Sequence, residues 1–99
     1  MPNELKQKRV YIAGKITGDR NYKIKFSKVE ENLRREGNIV LNPASLPEGM
    51  TAAEYMRLCF CMIDMADMVV FLPDFTKSQG AMLEFNYCVY IGKSRQIRA

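Results

Sequence analysis

The sequence predicts an α/β fold: a flavodoxin-like, Rossmann-like three-layer sandwich with a four-stranded parallel sheet in the order 2-1-3-4 and helices on both faces. Two observations favour it. Short apolar segments alternate along the chain with segments of helical length and helical periodicity. Residues 68–72 are continuously apolar, which is typical of a parallel strand buried on both faces. The order β-α-β-α-β-α-β then implies right-handed crossovers.

The first half of the chain predicts a strand, a helix and a second strand. Residues 9–13 form a short apolar strand that ends at Gly14, and residues 39–41 form the second strand. Residues 19–36 between them predict a helix that ends at Gly37. Its apolar side chains recur at spacings of three and four residues, at Tyr22, Phe26, Val29 and Leu33.

The second half predicts two more helices and two more strands. Residues 51–54, Thr-Ala-Ala-Glu, form a capping box, so a second helix begins there and runs to about residue 66. The third strand leads through a polar turn to a third helix, which Ser78 caps and Gly92 ends. Residues 94–97 can supply a last short strand.

The composition predicts a single domain over residues 1–99, with residues 1–8 frayed. No apolar run approaches the ~18 residues of a membrane span and no apolar signal segment begins the chain, so we expect a cytoplasmic protein without membrane contact. The three cysteines fit reduced thiols, and with no histidine in the chain we expect no metal and no cofactor.

The charge of the chain is +4, and much of the basic excess lies before residue 29. This excess fits a solvated face, and it also fits attraction for an anionic ligand such as a nucleotide phosphate. We do not expect a nucleic-acid polymer as partner, because no aromatic ladder or recognised binding module accompanies the charge.

The predicted helix over residues 51–66 is unusually apolar. Residues 58–63 are apolar on every side of the helix, which exceeds what packing on one sheet face requires. Either a small core uses all of them, or the helix buries a second surface against another subunit. We expect a homo-oligomer, a dimer or higher, formed through this helix.

Glu84 is the strongest candidate for chemistry. It is the only charged residue between Ser78 and Gly92, and its neighbours are apolar. A buried ionised carboxylate is costly, so such a group is usually paired, protonated or functional. In the predicted sheet, loops 14–18 and 73–80 face each other across one crevice. Glu84 lies about one turn inside the helix that follows the second of these loops. An ion pair with Lys15 or Arg20 is the structural alternative.

Other candidates share that crevice. The backbone N–H groups of loop 14–18 could hold a phosphate or sugar oxygen, although the same glycine spacing is common in plain strand-to-helix loops. Ser78 is a helix cap and also a hydroxyl beside a positive helix end. Asp74 lies in the crevice loop and could contact a ligand. Asp67 precedes the third strand at the opposite end of the sheet, which indicates a structural role.

Four motifs together resemble the nucleoside 2-deoxyribosyltransferase superfamily, most closely its short phage and bacterial branch of uncharacterised domains. The resemblance covers nearly the whole chain. Its motifs are Tyr-Ile-Ala-Gly-Lys-Ile-Thr-Gly at residues 11–18, Asn42-Pro43-Ala44, Ala66-Asp67, and Ser78-x-Gly80-x-x-x-Glu84.

This resemblance implies an N-glycosidase or deoxyribosyltransferase that acts on a nucleoside or nucleoside 5′-monophosphate. Glu84 takes the place of the nucleophile that attacks the anomeric carbon and forms a glycosyl-enzyme intermediate. Ser78 stands where the transferases usually carry aspartate and where nucleotide-hydrolysing relatives, similar to 2′-deoxynucleoside 5′-phosphate N-hydrolase, carry a serine that contacts the 5′-phosphate. The substrate-binding residues expected are Tyr11, Gly14, Lys15, Ile16, Gly18, Arg20, Asp74, Ser78 and Gly80.

Two alternatives remain open at this point. Cys59 aligns with the superfamily's second acid, and a thiol does not replace a carboxylate in protonating the leaving base. The chain is therefore also consistent with a nucleotide-binding module that senses or sequesters its ligand without catalysis. Cleavage of the nicotinamide glycosidic bond of NAD is a third possibility, which the short loops disfavour because they leave little to grip a dinucleotide.

Overall fold

The computed structural model describes residues 7–98, so most of the predicted frayed segment, residues 1–8, lies outside it. Four strands form one sheet in the order β2-β1-β3-β4, and every neighbouring pair is parallel. The predicted fold class and strand order are therefore confirmed. The strands are β1 (Arg9–Ala13), β2 (Ile39–Leu41), β3 (Met68–Phe71) and β4 (Arg95–Ile97).

Three helices cover the two faces of this sheet: α1 (Tyr22–Arg35), α2 (Ala52–Met65) and α3 (Gln79–Ile91). On one face, Phe26 and Leu33 of α1 pack against alternate β1 residues such as Ile12. On the other face, α2 and α3 pack against the intervening β1 residues, Tyr11 and Ala13. The side-chain alternation of β1 thus directs Tyr11 towards the layer that contains Glu84.

The helix ends follow the sequence signals closely. Thr51 and Glu54 form the predicted capping box, and the Ser78 hydroxyl oxygen accepts the Ala81 N–H at 3.1 Å. Gly92 ends α3 with a φ of 72°, in the left-handed region that favours glycine. These three predictions are confirmed.

Two boundaries differ from the prediction. Helix α1 begins at Tyr22 rather than residue 19, because Gly18 has a φ of 83° and the Asp19 carboxylate accepts the Asn21 N–H in a turn. Two short 3₁₀ turns, Pro43–Ser45 and Pro73–Lys77, lie in segments predicted as loops. The second turn is anchored by buried Phe75, whose ring packs against those of Phe71 and Phe85.

Asp67 has the structural role that its position predicts. Its carboxylate accepts the backbone N–H of Arg9 at 2.7 Å and pairs with the Arg9 guanidinium, at the end of the sheet where β1 and β3 begin. Within residues 7–98, no helix combines the length and the apolar character needed to cross a bilayer.

Candidate active site

Glu84 is the one buried charged residue of the described chain, with 5% of its surface exposed. It lies on the face of α3 that packs on the sheet, in the same layer as Tyr11 of β1. The Tyr11 hydroxyl, itself fully buried, donates a hydrogen bond to Glu84 Oε1 at 3.1 Å. The structure therefore brings together two residues that are 73 positions apart and that the sequence predicts at one site.

The third member of this cluster is Cys59 on α2. Its buried thiol lies close to both Tyr11 and Glu84. Among residues 7–98, no lysine or arginine forms an ion pair with Glu84. The structural alternative, an ion pair to Lys15 or Arg20, is therefore wrong. Within the described residues, the recorded hydrogen-bond partner of the Glu84 side chain is the Tyr11 phenol.

Burial dominates the electrostatics of this cluster. It raises the pKa of Glu84 from 4.5 to about 7, against the opposing effects of the Tyr11 hydrogen bond and the nearby Cys59 thiol. Burial, followed by the negative charge of Glu84, raises the pKa of Tyr11 well above its usual value and that of Cys59 to about 12. Near neutral pH the carboxyl therefore changes charge while its two neighbours keep their protons. A carboxylate with these properties is suited to act as a nucleophile or a base.

The loop after β1 lies beside the turn after β3, as the strand order predicts. Gly14 is buried against Leu72, so closely that a Cβ on Gly14 would stand 2.9 Å from the Leu72 side chain. The Lys15 N–H donates to Asp74 Oδ1 at 3.1 Å across the two segments. Within residues 7–98, the N–H groups of Ile16, Thr17 and Gly18 donate no backbone hydrogen bond. These N–H groups could bind an anionic or polar oxygen.

The remaining predicted residues have distinct environments. Asp74 lies at the predicted loop, but its carboxylate is already bound to the Lys15 N–H and the Lys25 ammonium. Arg20 is exposed, and neither its side chain nor that of Lys15 forms an ion pair within the described residues. Ser78 caps α3 and keeps its hydroxyl proton for another acceptor. Gly80 lies next to α2, and a Cβ on Gly80 would stand 3.5 Å from the Met56 side chain.

Two features of the site were not predicted from the sequence. Lys25, which the sequence marks only as part of the basic excess before residue 29, contacts both segments of the crevice, and no local pattern signals this. The second feature is the proximity of the Cys59 thiol to Tyr11 and Glu84, which no local pattern indicates either. Two shallow grooves of the surface run along α1, against Ile24 and Lys28, and do not include Glu84.

Comparison with known proteins identifies the family of the chain. The sequence matches the family described as Domain of unknown function (DUF4406) over residues 8–95. No curated protein matches the sequence.

Two solved structures share the fold. The 2-deoxyribosyltransferase of Bacillus psychrosaccharolyticus superposes with a TM-score of 0.72 at 23% identity, over 90% of this chain and 70% of that one. The 2-deoxyribosyltransferase of Leishmania mexicana superposes with a TM-score of 0.73 at 19% identity, over 91% of this chain. This chain spans 63% of the length of the Leishmania protein, which is less than two thirds. Since the family match covers nearly the whole sequence, the chain belongs to the DUF4406 family, and its fold is that of the 2-deoxyribosyltransferases.

Proposed function

We propose that the protein cleaves or transfers the N-glycosidic bond of a nucleoside or nucleoside 5′-monophosphate, with Glu84 as the nucleophile. The observation that carries this proposal is the buried Glu84 carboxyl, which has no cationic partner within residues 7–98 and accepts a hydrogen bond from Tyr11. Burying a carboxyl without a cationic partner costs a small domain part of its stability. A role as the carboxylate nucleophile of glycosyl transfer accounts for that cost. The likeness to two 2-deoxyribosyltransferases supports the same chemistry.

In the proposed reaction, one Glu84 oxygen attacks the anomeric carbon as the bond from that carbon to the base nitrogen breaks. The electron pair of the broken bond leaves with the base, and an ester links the sugar to Glu84. Water or the nitrogen of a second base then attacks the same carbon and releases the carboxylate. Tyr11 keeps Glu84 oriented through its hydrogen bond. The unpaired N–H groups of loop 14–18, Arg20 and the Ser78 hydroxyl bind the sugar or its phosphate.

The direct test is release of free base from a panel of deoxynucleosides and their 5′-monophosphates. The wild type and Glu31→Gln, a control at an exposed carboxylate on α1, should release base. Glu84→Gln should release none, because an amide oxygen is a poor nucleophile. Absence of release from every substrate by the wild type, or equal release by Glu84→Gln, would contradict the proposal.

A second candidate function is nucleotide binding without turnover, and the contact of Cys59 with Glu84 favours it. A thiol whose pKa is raised to about 12 by burial is a weak proton donor for a departing base. This candidate predicts stabilisation by nucleotides, about 2.7 kcal/mol at a concentration a hundred times Kd, with no base released. An unchanged melting temperature at millimolar nucleotide would exclude it.

We also propose that copies of the chain associate through α2. Leu58, Cys61 and Met65 lie at spacings of three and four on its outer face, with Leu58 and Met65 40% and 51% exposed. Arg57 and Asp64 lie on one side of this stripe, seven residues or about two turns apart, so two antiparallel copies would bring opposite charges together. Light scattering should give the mass of a dimer or higher for the wild type and of a monomer for Leu58→Glu. Ile24→Glu, at a residue 59% exposed on α1, is the control that should leave the mass unchanged. A monomeric wild type would refute this assembly.

A further inference from the structure

The backbone of Lys15 is held at both of its polar groups. Its N–H donates to Asp74 Oδ1 at 3.1 Å, and its carbonyl oxygen accepts from the Lys25 ammonium at 2.9 Å. The same ammonium donates to the Asp19 and Asp74 carboxylates, so its three N–H groups are bound to three oxygens. We call Lys25, Asp74 and Asp19 the loop clamp.

The loop clamp connects three separate parts of the fold. Lys25 lies in the first turn of α1, Asp74 in the 3₁₀ turn after β3, and Asp19 directly after loop 14–18. Their side chains are 27%, 27% and 25% exposed, so solvent screens these ion pairs only in part. Lys15, the second residue of loop 14–18, is therefore fixed relative to both the sheet and α1.

The loop clamp is not itself suited to bind an anion. Lys25 has no N–H left to donate, and with Asp19 and Asp74 the clamp carries a net charge of −1. The next three residues of the loop are better suited to bind an anion than the clamp is. The N–H groups of Ile16, Thr17 and Gly18 donate no backbone hydrogen bond within residues 7–98. Anchoring Lys15 at both ends keeps these N–H groups from turning back towards other acceptors.

We propose that Lys25 and Asp74 are positioning residues, which hold loop 14–18 in the conformation that binds the phosphate or sugar oxygens of the ligand. This inference rests on the proposed function for the identity of the ligand. Neither residue touches the substrate or Glu84. Loss of the clamp should therefore raise Kd and KM for a deoxynucleoside 5′-monophosphate and leave kcat nearly unchanged.

The test compares Lys25→Met with Lys28→Met, which removes an exposed lysine one turn further along the same helix. Binding of a deoxynucleoside 5′-monophosphate is measured by titration calorimetry in the Glu84→Gln background, where the ligand is not consumed. We expect Lys25→Met to weaken binding at least tenfold, Lys28→Met to change it less than twofold, and Lys25→Arg to restore it to within about threefold of the background. The weakening should persist at 0.5 M salt, where the Debye length of ~4 Å removes any long-range charge effect.

Hydrogen exchange supplies a readout that needs neither ligand nor activity. The Lys15 amide should exchange at least tenfold faster in Lys25→Met than in Lys28→Met, while the β1 amides, as a measure of folding, keep their protection. Unchanged Lys15 exchange, or unchanged binding in a folded Lys25→Met protein, would overturn the loop clamp. A wild type that binds the monophosphate with an affinity that depends on Lys25 but releases no base would instead overturn the proposed catalysis alone.

Discussion

Replacement of Glu84 by glutamine should stabilise the protein in alkaline solution and leave its stability unchanged in acid. Burial raises the pKa of the Glu84 carboxyl to about 7, whereas the unfolded chain titrates near 4.5. Between these two values the folded state holds a proton that the unfolded state has released. The free energy of unfolding therefore falls as the pH rises from about 4.5 to about 7, and it is constant on either side of that window as far as this group is concerned.

The size of this effect follows from the difference between the two pKa values. One pKa unit corresponds to ~1.4 kcal/mol, so the rise from 4.5 to about 7 costs the wild type about 3 kcal/mol above pH 7. Glutamine has a similar shape, never ionises and can still accept the Tyr11 hydrogen bond. The variant should therefore exceed the wild type in stability by about 3 kcal/mol at pH 8 and match it at pH 4.

Urea unfolding at pH 4, 6 and 8 measures this difference. With a slope of roughly 1–3 kcal/mol per molar urea, the midpoint of Glu84→Gln at pH 8 should lie one molar or more above that of the wild type. Glu31→Gln, at an exposed i,i+4 ion pair with Arg35, should change stability by less than ~0.5 kcal/mol. If Glu84→Gln is as stable as the wild type at pH 8, or less stable, the carboxyl does not carry the cost on which the argument for its function depends.

Three further predictions concern its neighbours. Tyr11→Phe removes a hydrogen bond that lowers the pKa of Glu84, so NMR titration of the carboxyl should place that pKa above the wild-type value of about 7; an equal or lower pKa would contradict the assignment. Ser78→Ala should cost ~1 kcal/mol in urea unfolding through loss of the helix cap, whereas Ser78→Asp should keep the cap and weaken binding of a monophosphate more than of its nucleoside. Gly14→Ala should cost ~1–3 kcal/mol, because its Cβ would stand 3.1 Å from Leu72 Cβ, and unchanged stability would show that the strand end can shift freely.

Much of this architecture can be read from local sequence because local chemistry determines it. The apolar run of β3, the capping box at Thr51 and the cap at Ser78 each depend on residues a few positions apart. Glu84 stood out for the same reason, as one charge in an apolar helix. Its partners could not be assigned in this way. Tyr11 and Cys59 reach it only because β1, α2 and α3 pack in one layer, and the structural alternative of an ion pair with Lys15 or Arg20 gives way to the neutral Tyr11 donor.

The start of α1 illustrates the same limit at shorter range. Helical periodicity placed Asp19 in the helix, but its carboxylate instead accepts the Asn21 N–H and pairs with Lys25. That ion pair is favoured because Lys25 also reaches Asp74, which lies 49 positions further along the chain. A periodic pattern carries no information on such a distant contact, so the loop clamp becomes visible only in the folded structure.

In the proposed reaction, the surroundings of Glu84 favour its attack on the anomeric carbon more than they favour departure of the base. The attacking carboxylate has a pKa of about 7 and a hydrogen bond that orients it. A departing base needs a proton, and the groups beside Glu84 that could donate one are a phenol and a thiol, both with raised pKa values, and the phenol already donates to Glu84. Proton transfer is most efficient when the pKa of the donor lies near the working pH, so neither group is a good general acid. The base must then leave as an anion or take its proton from solvent. The rate of the proposed reaction should therefore depend more on the acidity of the leaving base than on the sugar that carries it.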